Sequence, residues 1–199
     1  MKRTVSQLLS MPLRVLSLKQ NTQEWLEVRK RYRTASETPI IMGISPWSSP
    51  SELAMEKFSR NPPKELNNPA TAHGHKFEDT ARRLYEEQYD RAMNPAVVVR
   101  GDYMASLDGW SRDRKLILEI KCPFNQVQGD TWEHAIDGKL PDYYAAQVQH
   151  QLMVSGAPLC HFWVYASRRG KAIMVEVKRD PKMFPIILSA WESFMNKYA

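Results

Sequence analysis

The sequence predicts a mixed α/β domain in which helices pack on a central sheet. From residue 72 onward, hydrophobic periodicity reads helix, three strands, helix, strand, the order expected of a layered α/β core. The chain has 199 residues, 43% of them hydrophobic, enough for one well-buried domain and too few for two. The run Leu116–Lys121 is short, apolar and closed by Pro123, as a buried strand should be. The expected organisation is a single domain over 1–199, with N-terminal helices over about 21–58, a core over about 72–177 and a C-terminal helix over about 181–198.

Each element has its own signal. The spacing of Trp25, Val28 and Tyr32 predicts a helix over 21–32, with Asn21 as its cap and Glu24 three residues on. Arg29 lies beside that face near the helix end, where its stem can cover apolar surface. Thr34-Ala35-Ser36-Glu37-Thr38-Pro39 reads as a second helix start. Either Thr34 caps it and the first turn is distorted, or Ser36 caps it with Pro39 inside that turn. In both cases free N–H groups and the Ser36 hydroxyl gather at a helix N-terminus, which favours an anion. Ser49-Pro50-Ser51-Glu52 opens a third helix running to about residue 58. Pro62, Pro63 and Pro69 mark 61–72 as a loop. A helix over 72–89 follows, with Phe77, Ala81, Leu84 and Tyr85 toward the core and Glu78 flanking them.

Strands at 96–100 and 103–108, joined by Gly101-Asp102, form a hairpin, and a charged turn at 111–114 leads into Leu116–Lys121. Asp130 and Glu133 open a short helix that Gly138 ends, and a helix over 141–155 is closed by Gly156. On the latter, Tyr144, Val148, Gln151 and Leu152 share a stripe with Gln147 beside it. Strands at 159–165 and 171–177 flank the turn Ser167-Arg168-Arg169-Gly170, and an amphipathic helix spans 181–198.

Chemistry concentrates at the third strand. Side chains alternate along a strand, so Ile117, Glu119 and Lys121 share one face and Leu118 and Ile120 the other. Two opposite charges thus sit in a run otherwise suited to a core, which is costly unless they are paired and hydrogen-bonded. Asp108 ends the preceding apolar stretch, and a hairpin brings its carboxylate beside Glu119. Two hard oxygen ligands with a lysine two residues further on suit one or two Mg²⁺ ions and an activated water. A net charge of +6 and a pI near 9.3 favour a polyanionic partner. Cys122 and Cys160 each lie in an apolar stretch, which argues for buried thiols rather than disulfides or zinc. Pro12 and Arg14 interrupt the apolar segment 5–18, so it does not read as a signal peptide, and no run reaches transmembrane length; the chain reads as a cytosolic protein.

The α-β-β-β-α-β order, with Asp at the end of its second strand and Glu-x-Lys in its third, resembles the PD-(D/E)xK nuclease superfamily and its restriction-endonuclease-like core. Trp25, Arg29, Thr34-Ala35-Ser36-Glu37, Gly74 with Glu78, Asp108-Gly109, Leu118-Glu119-Ile120-Lys121-Cys122-Pro123-Phe124 and Ala146-Gln147-Val148-Gln149 narrow this further. In that order and spacing they resemble the lambda-exonuclease-type, YqaJ-like viral recombinase family, from about Trp25 to Gln151. The resemblance implies a 5′-to-3′ exonuclease on duplex DNA ends that releases mononucleotides and leaves a 3′ single strand. It implies a ring-shaped homotrimer, a single-strand annealing protein as partner in recombination, and a phage or prophage protein in the cytoplasm of a bacterial host. It places Asp108, Glu119 and the Ile120 carbonyl on Mg²⁺, two ions per site, with Mn²⁺ expected to substitute. Glu78 then acts near the second metal or its waters, Lys121 orients or activates the attacking water, Gln147 helps position the lysine or the water, and Arg29 and Ser36 hold the 5′-phosphate. Two rival readings share the residues: an end-independent restriction- or repair-type endonuclease, and a non-catalytic DNA-binding module in which Glu119 and Lys121 are a structural pair. No signal marks a strand-separating wedge; the proline-rich loop near Pro62 is one place for it.

Overall fold

The computed structural model describes residues 4–62 and 68–199. The expected loop at 61–72 lies partly outside them, so the place suggested there for a wedge is described only up to Pro62 and from Asn68 onward. Among the described residues, a seven-stranded mixed sheet is flanked by helices. Its strands are β1 (Leu13–Leu16), β2 (Arg33–Thr34), β3 (Met93–Arg100), β4 (Tyr103–Ser111), β5 (Leu116–Lys121), β6 (Leu159–Ala166) and β7 (Lys171–Lys178). The order is β1-β3-β4-β5-β6-β7; β5 and β6 run parallel, their other neighbours antiparallel, and β2 pairs in parallel with the start of β4. The helices are α1 (Val5–Leu9), α2 (Gln23–Lys30), α3 (Thr38–Ile41), α4 (Pro50–Lys57), α5 (Pro69–Tyr89), α6 (Asp130–Ile136), α7 (Asp142–Ser155) and α8 (Met183–Tyr198).

The alternation read from β5 decides the layers. Leu116, Leu118 and Ile120 pack with Ala81 and Tyr85 of α5 and Trp163 of β6 on one face. Ile117 joins Val148 and Leu152 of α7, and Ile187, Trp191 and Phe194 of α8, in the larger core on the other face. Trp25, Val28 and Tyr32 cover a third cluster, Val97, Val99 and Met104, which fixes α2 to the β3–β4 hairpin. Gly101 turns that hairpin with φ near +56°. Pro95 sits where the β3–β4 register shifts between Asn94 and Ala96, a position where no ladder hydrogen bond is lost.

Several expectations are corrected. Thr22, not Asn21, caps α2; Asn21 takes a left-handed turn at φ 62° before it. Thr34 makes no side-chain cap. A short 3₁₀ turn, Ala35–Glu37, takes up the first residues and α3 follows with Pro39 inside its first turn, so neither proposed cap forms. Helix α5 starts at Pro69, capped by Asn68, so Pro69 is a helix-opening residue rather than part of the loop. Leu84 is 37% exposed instead of core-facing, because the core contact of α5 narrows to Ala81 and Tyr85. Strand β4 continues past Asp108 to Ser111, so Asp108 lies within a strand rather than at its end. The segment 5–18, read only for targeting signals, holds α1 and β1, and no described helix is long and apolar enough to cross a membrane. By contrast, the Ser49–Glu52 capping box forms with both of its hydrogen bonds.

Candidate active site

Strands β4 and β5 are paired only at Gly109↔Leu118 and Trp110↔Ile117. Their approach is close there. A Cβ on Gly109 would lie 2.7 Å from the Met93 Cβ and 3.1 Å from the Leu118 Cβ, so only glycine fits. One residue beyond this pinch the strands part. The Asp108 carboxylate fills the fork, its Oδ2 accepting from the Ile120 N–H at 2.7 Å. In an extended strand the N–H and C=O of one residue point to the same side, so the Ile120 carbonyl also faces the fork.

On the α7 side, Glu119 is 3% exposed and nearly saturated with donors. Its Oε1 accepts from Lys121 Nζ at 2.6 Å and from Gln147 Nε2 at 2.7 Å, and its Oε2 accepts from Gln151 Nε2 at 2.6 Å. Burial alone would depress Lys121, but Glu119, Tyr144 and Asp108 outweigh it and hold the ammonium above the ordinary lysine range. Its Nζ also lies 4.7 Å from the centre of the Tyr144 ring. On the α5 side, Arg82 donates to the Asp108 carbonyl at 3.0 Å and lies 3.7 Å from Glu78 Oε1, while also pairing with Asp79. Burial raises the Glu78 carboxyl, with Arg82 opposing and Glu119 reinforcing the shift. Burial, then Glu119 and Glu78, push Asp108 well above the usual carboxylate range. Glu119, Lys121 and Gln147 are thus in contact on one side of the fork, and Asp108, bonded to the Ile120 N–H within it, and Glu78 lie within electrostatic reach of Glu119.

The residues fit a hard divalent cation. Asp108, Glu119 and Glu78 bring three carboxyl groups within electrostatic reach of one another, and the crowding that, after burial, raises Asp108 and Glu78 is what a divalent cation would relieve, as Lys121 and an Arg82 already shared with Asp79 do in part. Among the described residues no three His, Cys, Asp or Glu side chains stand close enough to hold a metal by themselves, so a cation here would complete its shell with a backbone carbonyl and water. One or two carboxylates, a backbone carbonyl and water are what Mg²⁺ takes, and they are what Asp108, Glu119 and Ile120 offer. Burial raises the thiol of Cys122, pushing it up to about 12, so this neighbour of Lys121 is held in its neutral form.

Arg29 and Ser36 meet as well. The Arg29 guanidinium donates to Ser36 Oγ at 3.0 Å, lies 4.6 Å from the centre of the Trp25 ring, and is 3.7 Å from Glu37. Lys57 is buried beneath, its Nζ 2.7 Å from Glu37 Oε2. One carboxylate thus stands between two cations, leaving a positive excess beside a hydroxyl. A relay of contacts joins this pair to the fork: Trp25 Nε1 donates to Ser106 Oγ at 3.0 Å, and Gln151 Nε2 donates both to the Ser106 carbonyl and to Glu119. Sequence reasoning placed Gln151 only on a helix stripe, and gave no role to Lys57 or Arg82. A glutamine on an otherwise apolar stripe was the one signal available. The charged turn 112–115 is structural: Arg114, at φ 60°, stacks on Trp110 and accepts its indole N–H.

The YqaJ-like viral recombinase domain matches residues 24–158, a span that holds every residue of both constellations. The uncharacterized protein YqaJ of Bacillus subtilis (strain 168) is 28% identical over 180 residues; the match covers 87% of this chain, which spans about half (55%) of that relative's length. The alkaline exonuclease LHK-Exo from Laribacter hongkongensis, also crystallised with dAMP, superposes with a TM-score of 0.74 at 24% identity over 89% of this chain and 92% of its own. A phage-related exonuclease from Haemophilus somnus 129PT superposes with a TM-score of 0.61 at 15% identity over 83% of this chain and 94% of its own. These structural likenesses establish a shared nuclease fold.

Proposed function

This chain belongs to the YqaJ-like viral recombinase family, and from that premise we propose that it is a metal-dependent exonuclease that digests duplex DNA from 5′ ends. One observation carries the reading. Asp108, Glu119, Lys121 and Gln147, drawn from β4, β5 and α7, meet where the two strands part. A structural ion pair would need Glu119 and Lys121 alone. It would not need a second carboxylate held in the fork by the Ile120 N–H, nor two glutamines fixing the first.

Asp108, Glu119 and the Ile120 carbonyl would hold Mg²⁺, two ions per site with Mn²⁺ as a substitute, and Glu78 would stand by the second ion and its waters. When bound, such ions neutralise a scissile phosphate and lower the pKa of a coordinated water. Gln147 and Gln151 fix the Glu119 carboxylate in one rotamer, so its remaining lone pair has a set direction. Lys121, an ammonium tied to Glu119, orients the attacking water through N–H donation and stabilises charge at the phosphate. Arg29 and Ser36 hold the terminal 5′-phosphate, which carries more charge and more free oxygens than an internal phosphodiester. Release of mononucleotides, a 3′ single strand handed to an annealing protein, and a ring-shaped homotrimer complete the proposal. Support for them lies in the family and in a structural neighbour crystallised with dAMP.

The test is digestion of a linear duplex labelled at either strand end, with and without Mg²⁺, by the wild type and Glu119→Ala, with light scattering on the same samples. The expected result is metal-dependent loss of the 5′ label first, no activity in the folded variant, and a trimer. Cleavage within circular DNA, or a normal rate for Glu119→Ala, overturns the reading.

A further inference from the structure

Trp47 is 66% exposed, unusually open for so large an aromatic side chain. Its position is built. Gly43, at φ +71°, ends the turn after α3, and the N–H groups of Ile44 and Ser45 both return to the Pro39 carbonyl. The Trp47 N–H then bonds Ser45 Oγ at 3.3 Å, so the indole is presented at the rim of a shallow groove lined by Gly43, Ser45 and Ser49.

The indole does not stand alone. It lies 4.9 Å from the Tyr143 ring at 77°, and 5.9 Å from the Tyr144 ring at 41°, the two tyrosines being 4.6 Å apart. Tyr144 is the ring that carries Lys121 Nζ at 4.7 Å. Three aromatic rings therefore run without a break from the lysine of the candidate active site to an open indole at the surface. Edge-to-face contact with Tyr143 leaves a face of the indole available for stacking.

Resting on the nuclease reading above, we propose that Trp47, backed by Tyr143 and Tyr144, is a stacking platform for a nucleobase of the strand being digested, the base adjoining the phosphate at Lys121. The platform continues directly from that site, with the Tyr144 ring 4.7 Å from Lys121 Nζ and the indole 5.9 Å from that ring, so a base beside the phosphate held at Lys121 is within reach of the rings. Every base has a π-face, so such a platform tolerates sequence, as an enzyme that walks along DNA requires. Holding the base next to the phosphate positions the scissile bond without adding a charged contact. Trp47 is then a substrate-positioning residue.

The experiment compares wild type, Trp47→Ala and Trp47→Phe on two 5′-phosphorylated duplexes, one intact and one with abasic sites at the first two nucleotides of the digested strand. On the intact duplex Trp47→Ala should raise KM about ten-fold, in the range given by loss of one base–aromatic stack, and Trp47→Phe should retain most of the affinity. On the abasic duplex all three proteins should agree within about two-fold, because the partner of the indole is gone. Equal losses on both duplexes overturn the platform. If Trp47→Ala also changes the particle mass in light scattering, the indole belongs to a contact between copies and the proposal fails. Should the wild type cleave neither duplex, the nuclease reading fails, and quenching of tryptophan fluorescence by single-stranded oligonucleotides decides the platform. Quenching by base-bearing but not abasic strands, absent in Trp47→Ala, supports it; any other pattern overturns it.

Discussion

Gln151→Leu probes the least expected part of the site. Gln151 is 1% exposed and its Nε2 donates to Glu119 Oε2 at 2.6 Å and to the Ser106 carbonyl at 3.1 Å, bridging the two strands at their fork. Leucine is close to it in volume, so no cavity opens; the hydrogen bonds are lost, offset in part because the buried Gln151 Oε1, which has no hydrogen-bond partner among the described residues, is removed as well. A bond to a buried carboxylate contributes about 1.5–3 kcal/mol and a neutral one about 1 kcal/mol, which gives about 3 kcal/mol in all. For a chain of this length that corresponds to a fall in Tm of roughly 6–12 °C. Urea titration and calorimetry measure it, in the wild type and in a Glu119→Gln background. Most of the cost should run through Glu119, so in that background it should shrink to about 1 kcal/mol, a coupling of about 2 kcal/mol. Cleavage at matched folded concentration should fall at least ten-fold, since Glu119 loses one of the three donors that orient it. Were the coupling below about 0.5 kcal/mol, the level of independent sites, the bridge would not act through Glu119 and the account of a fixed carboxylate would be wrong.

Arg29→Ala should slow digestion of a 5′-phosphorylated duplex by about ten- to a hundred-fold, the value of a charge-assisted hydrogen bond, and a 5′-hydroxyl duplex much less. Lysine at that position should restore only part, lacking the planar fork. Equal losses on both ends would assign Arg29 to general DNA binding or to the fold. Gly109→Ala drives a Cβ against Met93 and Leu118, so overpacking of about 1–3 kcal/mol should appear in urea titration, with lost cleavage as the fork shifts. A cost under about 0.5 kcal/mol would mean the pinch relaxes freely. His150 is buried between Tyr103 and Thr38, and burial lowers it to about 3. Its folded pKa lies below the unfolded value near 6.5, so the unfolded chain binds the extra proton between those limits. Its contribution is full above about pH 6.5 and declines as pH falls toward 3, by up to about 1.4 kcal/mol per pH unit. His150→Gln should flatten the acid limb of the stability curve over that window, and an unchanged slope would refute the assignment.

The amino-acid sequence by itself determined what local chemistry dictates. Alternation in Leu116–Lys121 put Glu119 and Lys121 on one face and Leu118 and Ile120 on the other, and the sheet keeps that division, since a strand has a period of two wherever it packs. The Ser49–Glu52 box and the Gly101 turn were legible for the same reason, their hydrogen bonds and dihedrals being satisfied within four residues. The tertiary structure alone decided what depends on neighbours far apart in the chain. Thr34-Ala35-Ser36-Glu37 spells a capping box, yet Glu37 is drawn to Lys57 and Ser36 to Arg29, and the cap does not form. Leu84 has the right spacing for the core face of α5, but Ala81 and Tyr85 take the contact with the sheet and leave it partly exposed. The fork itself exists because β4 gives its edge to β2 at Tyr103 and Met104 and to β5 only at Gly109 and Trp110. Between those pairings backbone groups are left to side chains, so Asp108, Gln151 and Arg82 come from one strand and two helices to satisfy them. No periodicity records such a meeting, because it is set by how the sheet divides its edge and not by any spacing along the chain.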